Sequence, residues 1–169
     1  MARKTIVENC DILVVGGGII GLTVAKKLKE NFHGSRVILL EKELDCGLHA
    51  SGRNSGVLHA GFYYSADSLK AKFSREGNRL MTEFCMNNNL KINKCGKLVV
   101  AKNENELFQL EELLKRGKIN KVDLKKITEY EAKKIEPRVK TFAYALFSPT
   151  TSSLDPEKTI DAIKYLIIV

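Results

Sequence analysis

Apolar residues in this chain fall into short unbroken runs and into longer stretches stepped by three and four. The first run follows Asp11, is almost continuously apolar through Ile12-Leu13-Val14-Val15, and ends at glycine, so it predicts a short, fully buried strand. Leu22, Ala25 and Leu28 then mark the packed face of a helix, and Arg36-Val37-Ile38-Leu39-Leu40 predicts a second apolar strand closed by Glu41. From Ser68 onward Leu69, Phe73, Gly77, Leu80 and Phe84 follow helical spacing and predict an amphipathic core helix, ended by the run Asn87-Asn88-Asn89-Leu90. Gly77 lowers helix propensity on that face, which suggests close packing against another backbone.

The second half alternates in the same way. Gly96 to Ala101 predicts a strand, and Asn103 caps a helix with Leu107, Leu110 and Leu114 on one side. A further strand falls within 118–127. Thr128 and Glu131 have capping-box spacing for a short helix that Pro137 closes, and 141–148 reads as a strand with alternating faces. Asp155-Pro156-Glu157 opens a last helix, with proline in the favoured first position and Ile160 and Ile163 on one face. There is no internal repeat and no low-complexity linker. The fold class is α/β, with a boundary expected near Leu90 and a chain that passes between its parts more than once.

The turn between the first strand and helix carries the first chemistry. Gly16, Gly18 and Gly21 have the spacing G-x-G-x-x-G: a tight turn, a backbone open to pyrophosphate, and a helix lying close on its strand. The helix N-terminus offers N–H groups and the positive end of its dipole to phosphates. Glu41 lies 20 residues beyond Gly21, where the motif expects an acidic side chain for ribose hydroxyls. Strand, glycine turn, helix, strand and acidic end in that order identify a Rossmann-type nucleotide site.

Composition narrows the class only a little. The chain has 169 residues, 44% hydrophobic and 28% charged, as a globular protein has, and no apolar run is long enough for a membrane span. The N-terminal residues do not read as a signal peptide. The net charge of +8 is spread along the chain without a basic, aromatic-interleaved stripe, so nucleic acid is not an expected partner. Cys10, Cys46, Cys85 and Cys95 are widely spaced, which argues against zinc and against a disulfide framework and fits a reducing, cytoplasmic compartment; no metal is expected.

A second motif runs from Gly47 to Ser65, "GLHASGRNSGVLHAGFYYS". Its histidines, arginine, asparagine, small hydroxyl residues and glycines suit a backbone wrapped around a polar ligand better than a core. The pattern "VVGGGIIG…LLEKE…SGRNSGVLHAGFYY…SLKAKFSREGNR" resembles the FAD-dependent oxidoreductases of the D-amino-acid-oxidase superfamily, and within it the L-2-hydroxyglutarate dehydrogenases, also called oxidases. "NSGVLHAGFYY" with "SLKA" and "GNR" is the more specific part; "CGKLVVA" and "EPRV" are similar to that branch's substrate-domain segments.

The resemblance implies a partial Rossmann-type FAD-binding domain with part of an α+β substrate domain: residues 1–90 as the first FAD-binding segment, 91–155 as a substrate-domain segment, and 156–169 as the start of a return to the FAD domain. It implies non-covalent FAD, with Gly16, Gly17, Gly18 and Gly21 at the pyrophosphate, Glu41 at the adenosine ribose and Lys42 beside it. Ser51, Gly52, Arg53, Asn54, Ser55 and Gly56 would line the ribityl and ring region, and His59 would lie nearest the isoalloxazine. Oxidising a 2-hydroxy acid removes a hydride from carbon and a proton from the hydroxyl, and a neutral histidine can accept that proton at physiological pH. Arg53 has two readings, a substrate carboxylate or a cofactor phosphate. Tyr63 and Tyr64 are either hydrogen-bond donors to substrate or packing residues.

Members of the resembled family are considerably longer. This implies a first piece of such an enzyme: a truncated chain, part of a split gene, or the product of a disrupted one, with a separate C-terminal fragment as one expected partner. The implied activity is oxidation of L-2-hydroxyglutarate to 2-oxoglutarate by hydride transfer to flavin, with a quinone or oxygen as acceptor and peripheral contact with the inner membrane left open. The alternatives are a non-catalytic remnant and a related flavin oxidoreductase acting on glycerol 3-phosphate or an amino acid.

Overall fold

The computed structural model describes residues 9–168. They divide into two compact units, one formed by the residues up to Ser55 together with those from Asp155 onward, the other by Gly56–Leu154.

In the first unit, β1 (Ile12–Val15) and β2 (Val37–Leu40) pair in parallel, Ile12 opposite Val37 and Val15 opposite Leu40, joined by α1 (Ile19–Asn31). The parallel pair needs this crossover because a tight turn can join only antiparallel strands. Leu22 and Ala25 are buried on α1, as their spacing predicts. Helix α5 (Pro156–Ile168) packs on α1 and buries Ile160 and Ile163. Gly47, at φ +76°, lies against Ile160: a Cβ there would stand 2.5 Å from its Cδ1. The ammonium of Lys164 pairs with Asp45 in the same unit.

The second unit is built on two antiparallel sheets. One joins β3 (Val57–Leu58), β8 (Ser152–Leu154) and β4 (Ile92–Asn93), with β8 central. The other joins β5 (Lys97–Val100), β7 (Tyr144–Ser148) and β6 (Lys125–Thr128), with β7 central. Between them in sequence lie α2 (Leu69–Asn87), α3 (Glu104–Ile119) and α4 (Glu129–Ile135). The caps follow the local chemistry: Ser68 accepts from Ala71 N, Asn103 from Glu106 N, and Thr128 with Glu131 forms the full capping box. Leu110, Ala101 and Leu146 make a core with Leu107 and Leu114 packed against it. The two- and three-residue strands β3, β4 and β8 are too short to leave a periodic signal, and the sequence does not announce them.

Three expectations change. The first apolar run is a strand but not a fully buried one, since Leu13 and Val15 are 50% and 78% exposed. The compact division falls at Ser55/Gly56 rather than near Leu90, because β3 pairs with β8 and draws the chain after Gly56 into the second unit. Helix α2 is present but its expected face is outward: Leu69 and Phe73 are 67% and 66% exposed, while Ala71, Asn78 and Cys85, seven residues apart, are buried. Small Ala71 allows the close approach instead of Gly77, whose Cβ would meet nothing within 4 Å. Gly77→Ala is therefore expected to stabilise this chain by about 0.5–1 kcal/mol, since alanine orders a helix at lower entropic cost. Chemical denaturation checks it; a loss of stability would mean that Gly77 does face a close neighbour.

Candidate functional site

The glycine turn is held on both sides by backbone. Gly16 N–H donates to Leu40 O at 2.7 Å, and Gly47 N–H donates to Gly17 O at 3.0 Å. Gly16 sits at φ +105° with open space where a Cβ would point, so its backbone is approachable in a conformation that other residues rarely adopt. Gly21 serves packing, since a Cβ there would stand 1.8 Å from Gly16 O.

Gly17 faces inward. Its N–H donates to Glu41 Oε2 at 2.6 Å, and a Cβ would lie 2.7 Å from Cys46 Sγ. Glu41 also accepts Glu43 N–H through Oε1 at 3.0 Å. These backbone donors, Glu43 first and Gly17 next, hold the Glu41 carboxyl below its ordinary pKa. An ionised carboxylate has about four acceptor positions, so acceptors remain for further donors. Lys42 is exposed and its ammonium lies 3.4 Å from Glu43, so it joins the acidic rim beside Glu41. Burial pushes the Cys46 thiol up, which keeps it protonated.

Helix α1 has Gly18 at its N-cap, with no side-chain cap of its own and no acidic residue in its first turn. Ser51 serves instead, its Oγ accepting Ile19 N–H at 3.0 Å from 32 residues away. Sequence reasoning put Ser51 in the site without this role, because a cap from so distant a segment leaves no local pattern. Around it the chain turns tightly: Gly52 N–H donates to Gly47 O, where a Cβ on Gly52 would stand 2.5 Å away. Asn54 donates to Ala50 O and Ser51 O, and His49 pairs with Glu43 at 2.8 Å. Arg53 and Ser55 are exposed. The first unit thus brings together Gly16–Gly21, Glu41, Lys42 and the stretch from Ser51 to Ser55. A turn with an open glycine, an uncharged helix N-terminus and an ionised carboxylate at the strand end fits a dinucleotide.

Gly56 and His59 belong to the second unit. The segment after β3 has little regular structure, and its carbonyls are taken by side chains. Asn78, buried on α2, donates to Leu58 O at 3.1 Å, His59 O at 3.4 Å and Thr150 O at 3.0 Å. Asn120, buried after α3, donates to Gly61 O and Tyr64 O, and Arg116 donates to Tyr63 O. Gly61, at φ +100°, lets the loop approach α2, where a Cβ would meet Ala71 O at 3.0 Å. Ala60 and Phe62 turn into a core with Val122, while His59 and Tyr63 face outward. Asn78 is the residue of the "GNR" motif to which sequence reasoning gave no task, and Asn120 carried no signal at all.

Losing the Asn78 amide leaves these carbonyls without their donor, so Asn78→Ala is expected to cost about 1–3 kcal/mol. Equal denaturation midpoints for the two proteins would show that the clamp is not needed.

Partial burial, and then the charge of Lys97, push the His59 imidazole below its ordinary value of 6.5. It is therefore neutral at pH 7, as a proton acceptor must be. Lys97 Nζ stands 4.7 Å over the Tyr63 ring, and Lys70 stands 4.5 Å over that of Tyr64.

Residues 11–166 match the family described as FAD dependent oxidoreductase (DAO). A mitochondrial L-2-hydroxyglutarate dehydrogenase of Dictyostelium discoideum is 39% identical over 147 residues, which are 86% of this chain and 33% of that protein. The L-2-hydroxyglutarate dehydrogenase of Escherichia coli K12 is 37% identical, over 83% of this chain and 33% of its own length. Among solved structures, a dithionite-reduced L-alpha-glycerophosphate oxidase of Mycoplasma pneumoniae with FAD bound superposes with a TM-score of 0.86 at 29% identity, over 96% of this chain and 43% of that one. The chain thus spans about a third of the length of the curated relatives it matches.

Proposed function

The chain belongs to the FAD-dependent oxidoreductase family, and we propose that it forms the N-terminal part of an enzyme oxidising L-2-hydroxyglutarate to 2-oxoglutarate. What supports this reading is a dinucleotide turn in the first unit and, on a loop of the second pinned by Asn78, a neutral, outward-facing His59, in a sequence 37–39% identical to two L-2-hydroxyglutarate dehydrogenases.

In this reading Gly16, Gly18 and Gly21 hold the FAD pyrophosphate at the start of α1, and Gly17 and Ser51 act through the turn by fixing Glu41 and the helix end. Glu41, with Lys42 beside it, takes the ribose hydroxyls, and the stretch Gly52–Gly56 lines the ribityl and ring region. FAD, when bound, supplies the hydride acceptor. His59 accepts the substrate hydroxyl proton at an imidazole nitrogen and, being neutral, does so without first losing one of its own. The cofactor is non-covalent, the electrons pass on to a quinone or oxygen, and a C-terminal polypeptide completes the site. In this reading the FAD-binding role extends past the compact division at Ser55/Gly56 to residue 90 and resumes at 156–169, with 91–155 part of the substrate domain. Separated cysteines, free among the described residues, support a cytoplasmic setting. Among the described residues no helix is long and apolar enough to cross a membrane, and peripheral contact with the inner membrane stays open in this reading.

A visible spectrum after incubation with FAD and gel filtration tests cofactor binding, first for this chain and then for a protein completed to the length of its relatives. Addition of L-2-hydroxyglutarate should bleach the flavin of the completed protein. Flavin that stays oxidised with every 2-hydroxy acid tried would rule the reaction out and favour a non-catalytic chain. Bleaching by glycerol 3-phosphate alone would favour the activity named for the Mycoplasma structure.

A further inference from the structure

Lys97 opens β5 at the pair Lys97–Ser148, so its backbone is fixed by the central strand of its sheet. Its side chain is half-buried, and its ammonium lies over the Tyr63 ring at 4.7 Å. Among the described residues it has no carboxylate within ion-pair distance, whereas Lys164 and Lys133 each have one.

A lysine over a tyrosine ring is not in itself a site. Lys126 lies 3.7 Å over Tyr144, Lys134 4.4 Å over Tyr130 and Lys70 4.5 Å over Tyr64, and the charge felt by His59 is that of none of these. What sets Lys97 apart is its company. Its charge acts on His59, and His59 and Tyr63 sit on one loop whose carbonyls Asn78 and Arg116 hold. The ring offsets part of the cost of desolvating the ammonium but takes none of its N–H donors in a conventional hydrogen bond. A partly dry cation with donors to give, packed on the loop of a neutral base that feels its charge, is complementary to an anion carried by the molecule that base acts on.

We propose that Lys97 is the carboxylate anchor of the substrate site, a specificity-determining residue that binds a carboxylate of the 2-hydroxy dicarboxylate while His59 faces its hydroxyl. The assignment rests on the oxidoreductase reading above and adds to it the residue that selects an acidic substrate. It also gives Lys97 two effects of one sign: the ammonium that binds the anion keeps His59 unprotonated until the anion arrives. A bound carboxylate then screens that charge and makes the imidazole a stronger base in the complex than in the free protein.

The test uses the FAD-loaded, completed protein and glutarate, a dicarboxylate with no hydroxyl to oxidise. Binding is read from the perturbation of the flavin spectrum. Lys97→Met keeps the length of the stem and removes the charge; it should weaken glutarate roughly tenfold to a hundredfold. It should raise KM for L-2-hydroxyglutarate by a similar factor with kcat at pH 8 little changed, and Lys97→Arg should recover part of the loss. The acid limb of kcat/KM should also move up towards 6.5 in Lys97→Met as the charge on His59 is removed. No glutarate binding by the unaltered protein, or equal binding by Lys97→Met, overturns the anchor, and leaves the oxidoreductase reading intact if L-2-hydroxyglutarate still bleaches the flavin. Lys97-dependent glutarate binding without bleaching by any 2-hydroxy acid overturns the reaction instead and keeps the anion site.

Discussion

Gly21→Ala is expected to destroy the dinucleotide turn. The added Cβ would stand 1.8 Å from Gly16 O and 3.0 Å from Gly16 C, and both are backbone atoms. Neither end can yield cheaply. Gly16 is tied to β2 through Leu40 O, and the first turn of α1 is closed by Leu22 N–H to Gly18 O at 2.9 Å. Separating strand from helix also opens the packing of Leu22 and Ala25, so the cost should be at least about 3 kcal/mol.

The neighbouring glycines give the control. Gly16→Ala meets no atom but must hold φ +105°, a strain of about 1–3 kcal/mol. Gly18→Ala approaches Ser51 Oγ at 3.1 Å, a hydroxyl that can move at the expense of its bond to Ile19 N–H. Flavin retained after gel filtration and the denaturation midpoint should therefore both fall in the order Gly18→Ala, Gly16→Ala, Gly21→Ala, with Gly21→Ala colourless. A Gly21→Ala protein that keeps flavin as well as Gly18→Ala would mean that close helix–strand packing is not what the third glycine provides.

Local chemistry made the glycine turn of the first unit and the helix starts of the second legible. The turn needs glycine where a Cβ collides, and Asn103 and Thr128 cap helices through bonds three residues away, so residue type and short spacing carry the information. The exposed face of α2 shows where such reasoning stops. Helical spacing says that Leu69, Phe73 and Leu80 share a side, but not which side meets protein; Ala71, Asn78 and Cys85 form the buried one. The clamp on the His59 loop was illegible for a related reason. Asn78 reaches back 20 residues to Leu58 and forward 72 to Thr150, and Asn120 reaches 59 to Gly61. No periodicity links such partners. The same holds for Lys97 and Tyr63, which sequence reasoning treated as a strand residue and an aromatic with no tie between them.

Replacing His59 by Gln should lower kcat by about a hundredfold to ten-thousandfold, the range a positioned general base contributes. Glutamine keeps polarity and approximate size but cannot accept a proton near pH 7, so the loss should fall on kcat and not on cofactor. Flavin retention should be unchanged, because the glycine turn, Glu41 and Ser51 keep their own bonds. Stability should change little at pH 8, since Asn78 holds the carbonyls of this loop and not the imidazole. The pH profile separates a base from a bystander. In the free protein the imidazole sits below 6.5 through burial and Lys97, so kcat/KM should hold from pH 8 down past 6.5 and fall only as His59 takes its proton. The linked stability runs the same way. Below 6.5 the unfolded chain protonates this histidine first, so stability falls as pH drops from 6.5 to the depressed folded value and is flat on either side. His59→Gln should abolish the acid limb of the rate and this slope together. A variant that keeps more than a tenth of the rate, with the acid limb still in place, would assign the proton to another group.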